Sequence, residues 1–243
     1  MSRRRSSTEE NNCPITQKNN DELPDTVSGS SYVSTADPVR SIIMFEEDVT
    51  AAREDDSEIE SKIYEREVIT GADCSGLDFQ SVTFDGCRFS ECNLTKASFY
   101  GCRFVRCDLS NCKLSDSYWK ECELQSCKLG GADLKNSTLK QTSMRSCNLT
   151  YGLFSESCFD SCRFTVCDFS NALISEAKLK KTTFSECRFI RTEFFKTSLK
   201  GIDVSDCELS GITVSDSFSE LRGALVSYDQ AAELAGLLGI VIK

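Results

Sequence analysis

Every fifth residue from 79 to 214 is large and apolar. The series opens Phe79, Phe84, Phe89, Leu94, Phe99, Phe104, Leu109, Leu114, Trp119, Leu124 and runs unbroken through Phe184, Phe189, Phe194, Leu199, Val204 and Leu209 to Val214. A period of five matches neither the 3.6 of an α-helix nor the 2 of a β-strand, so no ordinary amphipathic element gathers these side chains on one face. A backbone that coils, turning each fifth residue toward a common axis, does gather them. The expected fold class is therefore all-β, a solenoid of five-residue repeats.

A second column fixes the length of one coil. The residue two places before each apolar centre is small almost throughout, and within that column Cys87, Cys107, Cys127, Cys147, Cys167, Cys187 and Cys207 recur every 20 residues. Four repeats then make one turn. Residues 72–216 hold 29 pentapeptides, or about seven coils, and at about 4.8 Å per stacked strand the body is about 35 Å long. Each centre is expected to stack on the one 20 residues away, as in Phe84, Phe104, Leu124, Met144, Phe164, Phe184 and Val204.

Fifteen cysteines in 243 residues invite a metal or redox reading. Neighbours five residues apart lie on different faces, however, and cysteines one coil apart have parallel Cβ directions, which suits neither tetrahedral coordination nor a relaxed disulfide. The ladder is read as structural, each thiol acting as a small hydrophobe in a buried column. No metal and no cofactor is expected.

An open solenoid end exposes apolar interior and unpaired backbone, so both ends need covers. At the start, Ile63-Tyr64-Glu65-Arg66-Glu67-Val68-Ile69 can form an opening strand. At the other end Ser227 and Gln230 form a capping box for a helix over about 228–237 that Gly239 stops. Ala231, Leu234 and Leu238 share one side of it, and Ile240-Val241-Ile242 can add a last strand. Residues 1–57 hold all three prolines and are rich in Ser, Thr, Asn, Asp and Glu, without sustained periodicity. They read as a disordered acidic tail with one apolar cluster, Ser41-Ile42-Ile43-Met44-Phe45. That cluster is either a sticky patch on a solvated tail or a short peptide that docks on a partner or on the solenoid. The expected organisation is a tail over 1–57, a β-helix over 58–218 and a capping element over 219–243.

The repeats resemble the pentapeptide-repeat family, whose pattern is Ala, then Asp or Asn, then Leu or Phe, then two variable residues. Ala72-Asp73-Cys74-Ser75-Gly76, Cys92-Asn93-Leu94-Thr95-Lys96, Cys107-Asp108-Leu109-Ser110-Asn111 and Ala132-Asp133-Leu134-Lys135-Asn136 carry the likeness. The resemblance implies a right-handed quadrilateral β-helix with four faces per coil. It also implies a C-terminal helix and strand that cap the coil and form a homodimer, with Leu234, Leu237, Leu238, Ile240 and Ile242 as the candidate capping and dimerisation residues. Quinolone-resistance members of this family bind DNA gyrase or topoisomerase IV by imitating the charge of duplex DNA, and the present repeats resemble those members that lack inserted loops.

Charge bears on what such a body can bind. The net charge is −10, but residues 1–71 carry 16 acidic and 8 basic side chains whereas residues 72–218 carry 19 and 18. Whole-body imitation of DNA needs a strongly acidic surface, and this coil is near neutral. Its faces differ. The face centred on Phe79, Phe99, Trp119, Leu139, Phe159, Leu179 and Leu199 carries Lys120, Lys140, Lys178, Lys180, Lys181 and Lys200 against Asp78, Glu121 and Asp160, whereas the face centred on Leu94 is net acidic. The lysine face is either a solvated surface or a docking surface for an acidic partner, with a protein expected ahead of nucleic acid. Leu153, Leu173, Phe195, Ile190, Tyr100 and Tyr118 are expected to be exposed.

The chain has no histidine, no nucleophile elbow and no phosphate-binding glycine loop, so an enzyme is not expected. With neither a membrane span nor a secretory signal, the expected place is the cytoplasm. The expected function is non-enzymatic binding of a protein, a type II topoisomerase being the specific candidate. The alternative is a scaffold whose partner binds the solenoid faces or the N-terminal tail, and deletion of the tail separates the two.

Overall fold

The structure, a computed structural model, describes residues 38–242. The part of the expected tail that spans residues 1–37 lies outside the described residues.

The period of five becomes a square coil. Three-residue strands stack in parallel with a register of 20, as in Phe99↔Trp119, Trp119↔Leu139 and Leu139↔Phe159. Two faces are continuous sheets, each seven strands deep. The third begins as a strand pair, Val68–Thr70 with Arg88–Ser90, and continues as single bridges such as Asp108↔Lys128 and Lys128↔Asn148. The fourth is built of single bridges, from Asp73↔Asn93 to Glu193↔Thr213.

The right-angle corners come from one backbone state repeated every fifth residue. From Phe79 to Leu199 the residue two after each centre takes a left-handed φ, as at Ser81 (54°), Asn111 (58°), Val166 (55°) and Lys181 (49°). Each L-residue there carries a steric cost of about 1–2 kcal/mol, which the stacking must outweigh. The corner N–H groups contribute by bonding upward to the next coil, for example Ser81 N–H to the Tyr100 carbonyl at 2.8 Å.

Between corners, the inward centres pack as the spacing requires. Phe79, Phe84, Phe99, Phe104, Trp119, Leu139, Phe154 and Phe189 are all fully buried. Aromatic rings stack between coils, with Phe99 and Trp119 centroids 4.1 Å apart and Phe84 and Phe104 4.8 Å apart. The Asp or Asn before the centre has a local task. Asp73, Asp108 and Asp168 each accept from the backbone N–H two residues on, at 3.1, 3.1 and 2.9 Å, an Asx turn that fixes the approach to the corner.

Both ends differ from the sequence expectations. In place of a tail running to residue 57, Pro38–Glu54 form a helix, α1, that covers the N-terminal end of the coil. Phe45, Val49 and Ala52 are buried at i, i+4 and i+7, a stripe too short to register as sustained periodicity. The Arg53 guanidinium donates to the carbonyls of Asp73 (2.8 Å) and Ser75 (3.1 Å) in the first coil. The single opening strand is instead part of a coil: β1 (Ile59–Glu60), β2 (Ile63–Glu65) and β3 (Val68–Thr70), with a corner at Arg66, pair with residues 79–80, 83–85 and 88–90.

At the other end the capping box is present, with Ser227 and Gln230 bonded reciprocally at the start of helix α2 (Tyr228–Leu237) and Gly239 at φ 74° after it. The Gln230 amide also donates to the Val204 carbonyl at 2.8 Å and to that of Cys207, filling the open end of the last coil. The strand expected over Ile240-Val241-Ile242 does not form. Those residues are 54%, 82% and 59% exposed.

Candidate functional site

The lysine face is one of the two continuous sheets. Its strands show their first and third residues outward, so the third-position column reads Gln80, Tyr100, Lys120, Lys140, Asp160 and Lys180, with Lys200 following. Lys120 and Lys140 stand directly opposite each other across a strand pair, a like-charge placement that costs stability unless an anion comes between them. Each has found a partial remedy. Lys120 Nζ lies 3.7 Å from a Glu121 carboxylate oxygen, and Lys140 Nζ sits 5.5 Å from the centroid of the Tyr118 ring.

The structure concentrates the rest of the charge at one end. Lys178 and Lys180 flank Leu179 on one strand, Lys181 is the corner after it, and Lys200 is one coil further on. All four are exposed. Lys180 is paired with Asp160 at 3.1 Å, and the lysine hydrogen bond holds the Asp160 carboxyl below its ordinary range. Among the described residues no carboxylate forms an ion pair with Lys178, Lys181 or Lys200. The six lysines of the sequence reading thus do share one face. Of the apolar residues expected at the surface, Tyr100, Leu173 and Phe195 are exposed and Tyr118, Leu153 and Ile190 are half-buried.

The adjoining, net acidic side, centred on Leu94, is internally compensated to a greater degree. Lys196 pairs with Glu176 at 3.0 Å, and the Asp73 carboxyl is held low by its hydrogen bonds from Ser75. Much of that acidity belongs to the Asx turns. It is part of the fold before it is part of a surface.

The cysteine ladder is inward, and its thiols do more than fill space. Six of the seven donate to the backbone carbonyl of a centre residue one coil below, among them Cys87 to Tyr64 (3.2 Å), Cys107 to Phe84 (3.3 Å), Cys127 to Phe104 (3.3 Å) and Cys167 to Met144 (3.4 Å), whereas Cys207 donates to Asp206 Oδ1 (3.3 Å). Ser157, Thr182 and Thr192 make the same bond from the same kind of position, to Leu134 (2.7 Å), Phe159 (3.1 Å) and Phe169 (2.8 Å). Cys, Ser and Thr thus share one role in this column, whereas Ala97, Ala132, Ala172 and Ala177 fill the same kind of position without a donor. Burial pushes the thiols of Cys74 and Cys112 up to about 12 and that of Cys162 up to about 11, so these thiols stay protonated and unreactive. Among the described residues no group of three or more His, Cys, Asp or Glu side chains is placed to hold a metal ion.

The residues singled out at the C-terminus stand apart from these faces. Leu234 packs against the core, whereas Leu237, Leu238, Ile240 and Ile242 are exposed. Among the described residues no helix is long and apolar enough to cross a membrane.

A family model for the pentapeptide repeat region matches residues 72–151, and one for pentapeptide repeats in eight copies matches residues 167–211. Among solved structures, a trypsin-treated form of QnrB1, a plasmid-mediated fluoroquinolone resistance protein, is 22% identical over 76% of this chain and 98% of its own, with a TM-score of 0.43. A pentapeptide repeat protein of the Arabidopsis thaliana thylakoid lumen is 24% identical over 38% of this chain and 68% of its own, with a TM-score of 0.32. HetL, a pentapeptide repeat protein involved in heterocyst differentiation regulation from the cyanobacterium Nostoc, is 15% identical over 74% and 96%, with a TM-score of 0.27. No curated protein sequence matches the chain.

Proposed function

Because the chain belongs to the pentapeptide-repeat family of right-handed β-helices, we propose that it works by binding, offering its lysine face to an acidic surface of a protein partner. The observation that carries this reading is the cluster of Lys178, Lys180, Lys181 and Lys200 on a flat sheet, opposed there by Asp160 alone. A flat β-face with exposed cations recognises a complementary surface without moving, which keeps the ordering cost of association low. A filled core supports binding over catalysis, since the inward positions are closed by Phe, Leu and Trp side chains.

The quinolone-resistance members that the repeats resemble make a type II topoisomerase the first partner to test. The even charge of residues 72–218 favours docking on the protein surface of such an enzyme over taking the place of its DNA. The test is a gyrase supercoiling assay with a fluoroquinolone present, titrated with the full-length chain or with a variant carrying Lys120→Glu, Lys140→Glu, Lys180→Glu and Lys200→Glu. The expected result is a change in supercoiling with the wild-type chain that the variant fails to give. An effect undiminished in the variant removes the lysine face as the binding surface. No effect from either chain removes the topoisomerase as partner.

A further inference from the structure

One rung of the ladder breaks its pattern. In line with Cys87, Cys107 and Cys127, at the first coil, stands Glu67. Its side chain points inward beneath α1 and is 2% exposed, and its Oε2 has no hydrogen-bond partner. A carboxyl buried in this way without a donor is stable only with its proton.

The groups around it reinforce this. From α1 above comes Asp48, whose carboxylate accepts from the Tyr64 hydroxyl of β2 at 2.6 Å and from Lys62 Nζ at 2.8 Å. From the coil come the Tyr64 side chain and the thiols of Cys74 and Cys87. Lys62 is the one cation of the set, and it is engaged by Asp48. Burial first, and the Asp48 charge second, push the Glu67 carboxyl up to about 7. In the same surroundings the Tyr64 phenol is raised, again by burial first, so it stays protonated.

We propose that Glu67 is a proton-operated latch for α1, holding the helix over the end of the solenoid while protonated and releasing it as the carboxyl ionises. Capped, Glu67 keeps its proton to about pH 7; uncapped and in water it loses it near 4.5, the ordinary range of a glutamate carboxyl. The raised value belongs to the capped state, so the proton stabilises the cap fully below about pH 4.5. That contribution falls away as the pH rises to about 7, by about tenfold in the opening equilibrium per pH unit. Opening lifts Phe45 off Tyr64, Phe79, Phe84 and Phe89, which it contacts with ring centroids 5.0–6.5 Å apart. It also bares the free edge of β1, β2 and β3, a template for another strand.

Hydrogen exchange of the full-length chain, read by mass spectrometry at pH 5 and pH 7.5 and corrected for intrinsic rates, tests the latch. The expected result is an opening constant for α1 amides that rises about sixtyfold between the two, while amides of residues 118–125 keep their protection. Glu67→Gln, which retains the shape without the charge, flattens the dependence. Glu67→Cys, which extends the ladder by one rung, does the same and guards against a folding defect peculiar to Gln. Protection of α1 that is unchanged between the two pH values, or a change that persists in both variants, overturns the proposal.

Discussion

Replacing Trp119 with Ala lowers the stability of the solenoid by about 3–5 kcal/mol, the range for deleting a buried aromatic. The side chain is fully buried in a middle coil, 4.1 Å in ring-centroid distance from Phe99 and 5.5 Å from Phe104. It also anchors a buried polar chain, since its indole N–H donates to Ser117 Oγ at 2.8 Å, which lies 3.0 Å from Ser137 Oγ. Truncation leaves a cavity and takes the donor from Ser117. Each coil touches only its neighbours, so the loss is felt as weakened coupling between the two halves of the stack. A urea melt followed by far-ultraviolet circular dichroism is expected to show a lower midpoint and a broadened or two-step transition. Trp119→Phe keeps a six-membered ring in the stack and loses the indole donor with a small part of the packed volume, and is expected to cost about 1–3 kcal/mol. Equal effects for Ala and Phe would contradict the assignment of the larger share to packing.

Phe45→Ala is the second large effect, and it acts at the end of the stack. Phe45 lies under α1 against four aromatic rings of the first two coils, edge-on to Tyr64 at 5.0 Å and stacked on Phe79 at 6.5 Å. Removing it takes away about 3–5 kcal/mol of packing. Among the described residues, the helix's other buried apolar side chains are Val49 and Ala52, and a helix of this length has little stability of its own. The expected outcome is undocking of α1 with the coil intact. Binding of an apolar dye rises, α1 amides lose protection, and the strand amides of the central coils keep theirs. Unchanged dye binding would show that α1 is held by something other than this contact.

The inward centres were legible because each coil repeats the same burial demand, and a demand repeated at fixed spacing shows in a single sequence. The coil length was legible from Cys87 to Cys207 for the same reason. The chemistry of that column was not, because packing alone admits Ala as readily as Cys; the donor to the carbonyl one coil below becomes visible only when coils are stacked. Ile59, Tyr64 and Ile69 continue the period backward and face inward as the later centres do. The sequence places Tyr64 and Ile69 in one opening strand over 63–69, because flanks such as Glu60, Arg66 and Glu67 lack the small residues seen elsewhere. The cap α1 was hidden for a related reason: a helix that plugs a hole needs only the short stripe Phe45, Val49, Ala52, where a helix lying on a sheet needs a long one. Among candidate functional residues, the lysine face followed from arithmetic on the period. Glu67 did not, since only burial beneath α1 distinguishes it from the other acidic residues near the start of the coil.

In the function proposed above, the lysine face, and not the N-terminal segment, engages the partner. The most direct measurement is quantitative affinity capture from the cell's own lysate, at low and at moderate salt, with three baits: the full-length chain, a chain lacking residues 1–37, and the full-length chain with Lys178, Lys180, Lys181 and Lys200 changed to Glu. The expected result is one set of acidic-surfaced proteins held by the first two baits, weakened by salt and lost from the third. Capture that survives the four charge reversals and disappears with residues 1–37 would contradict it.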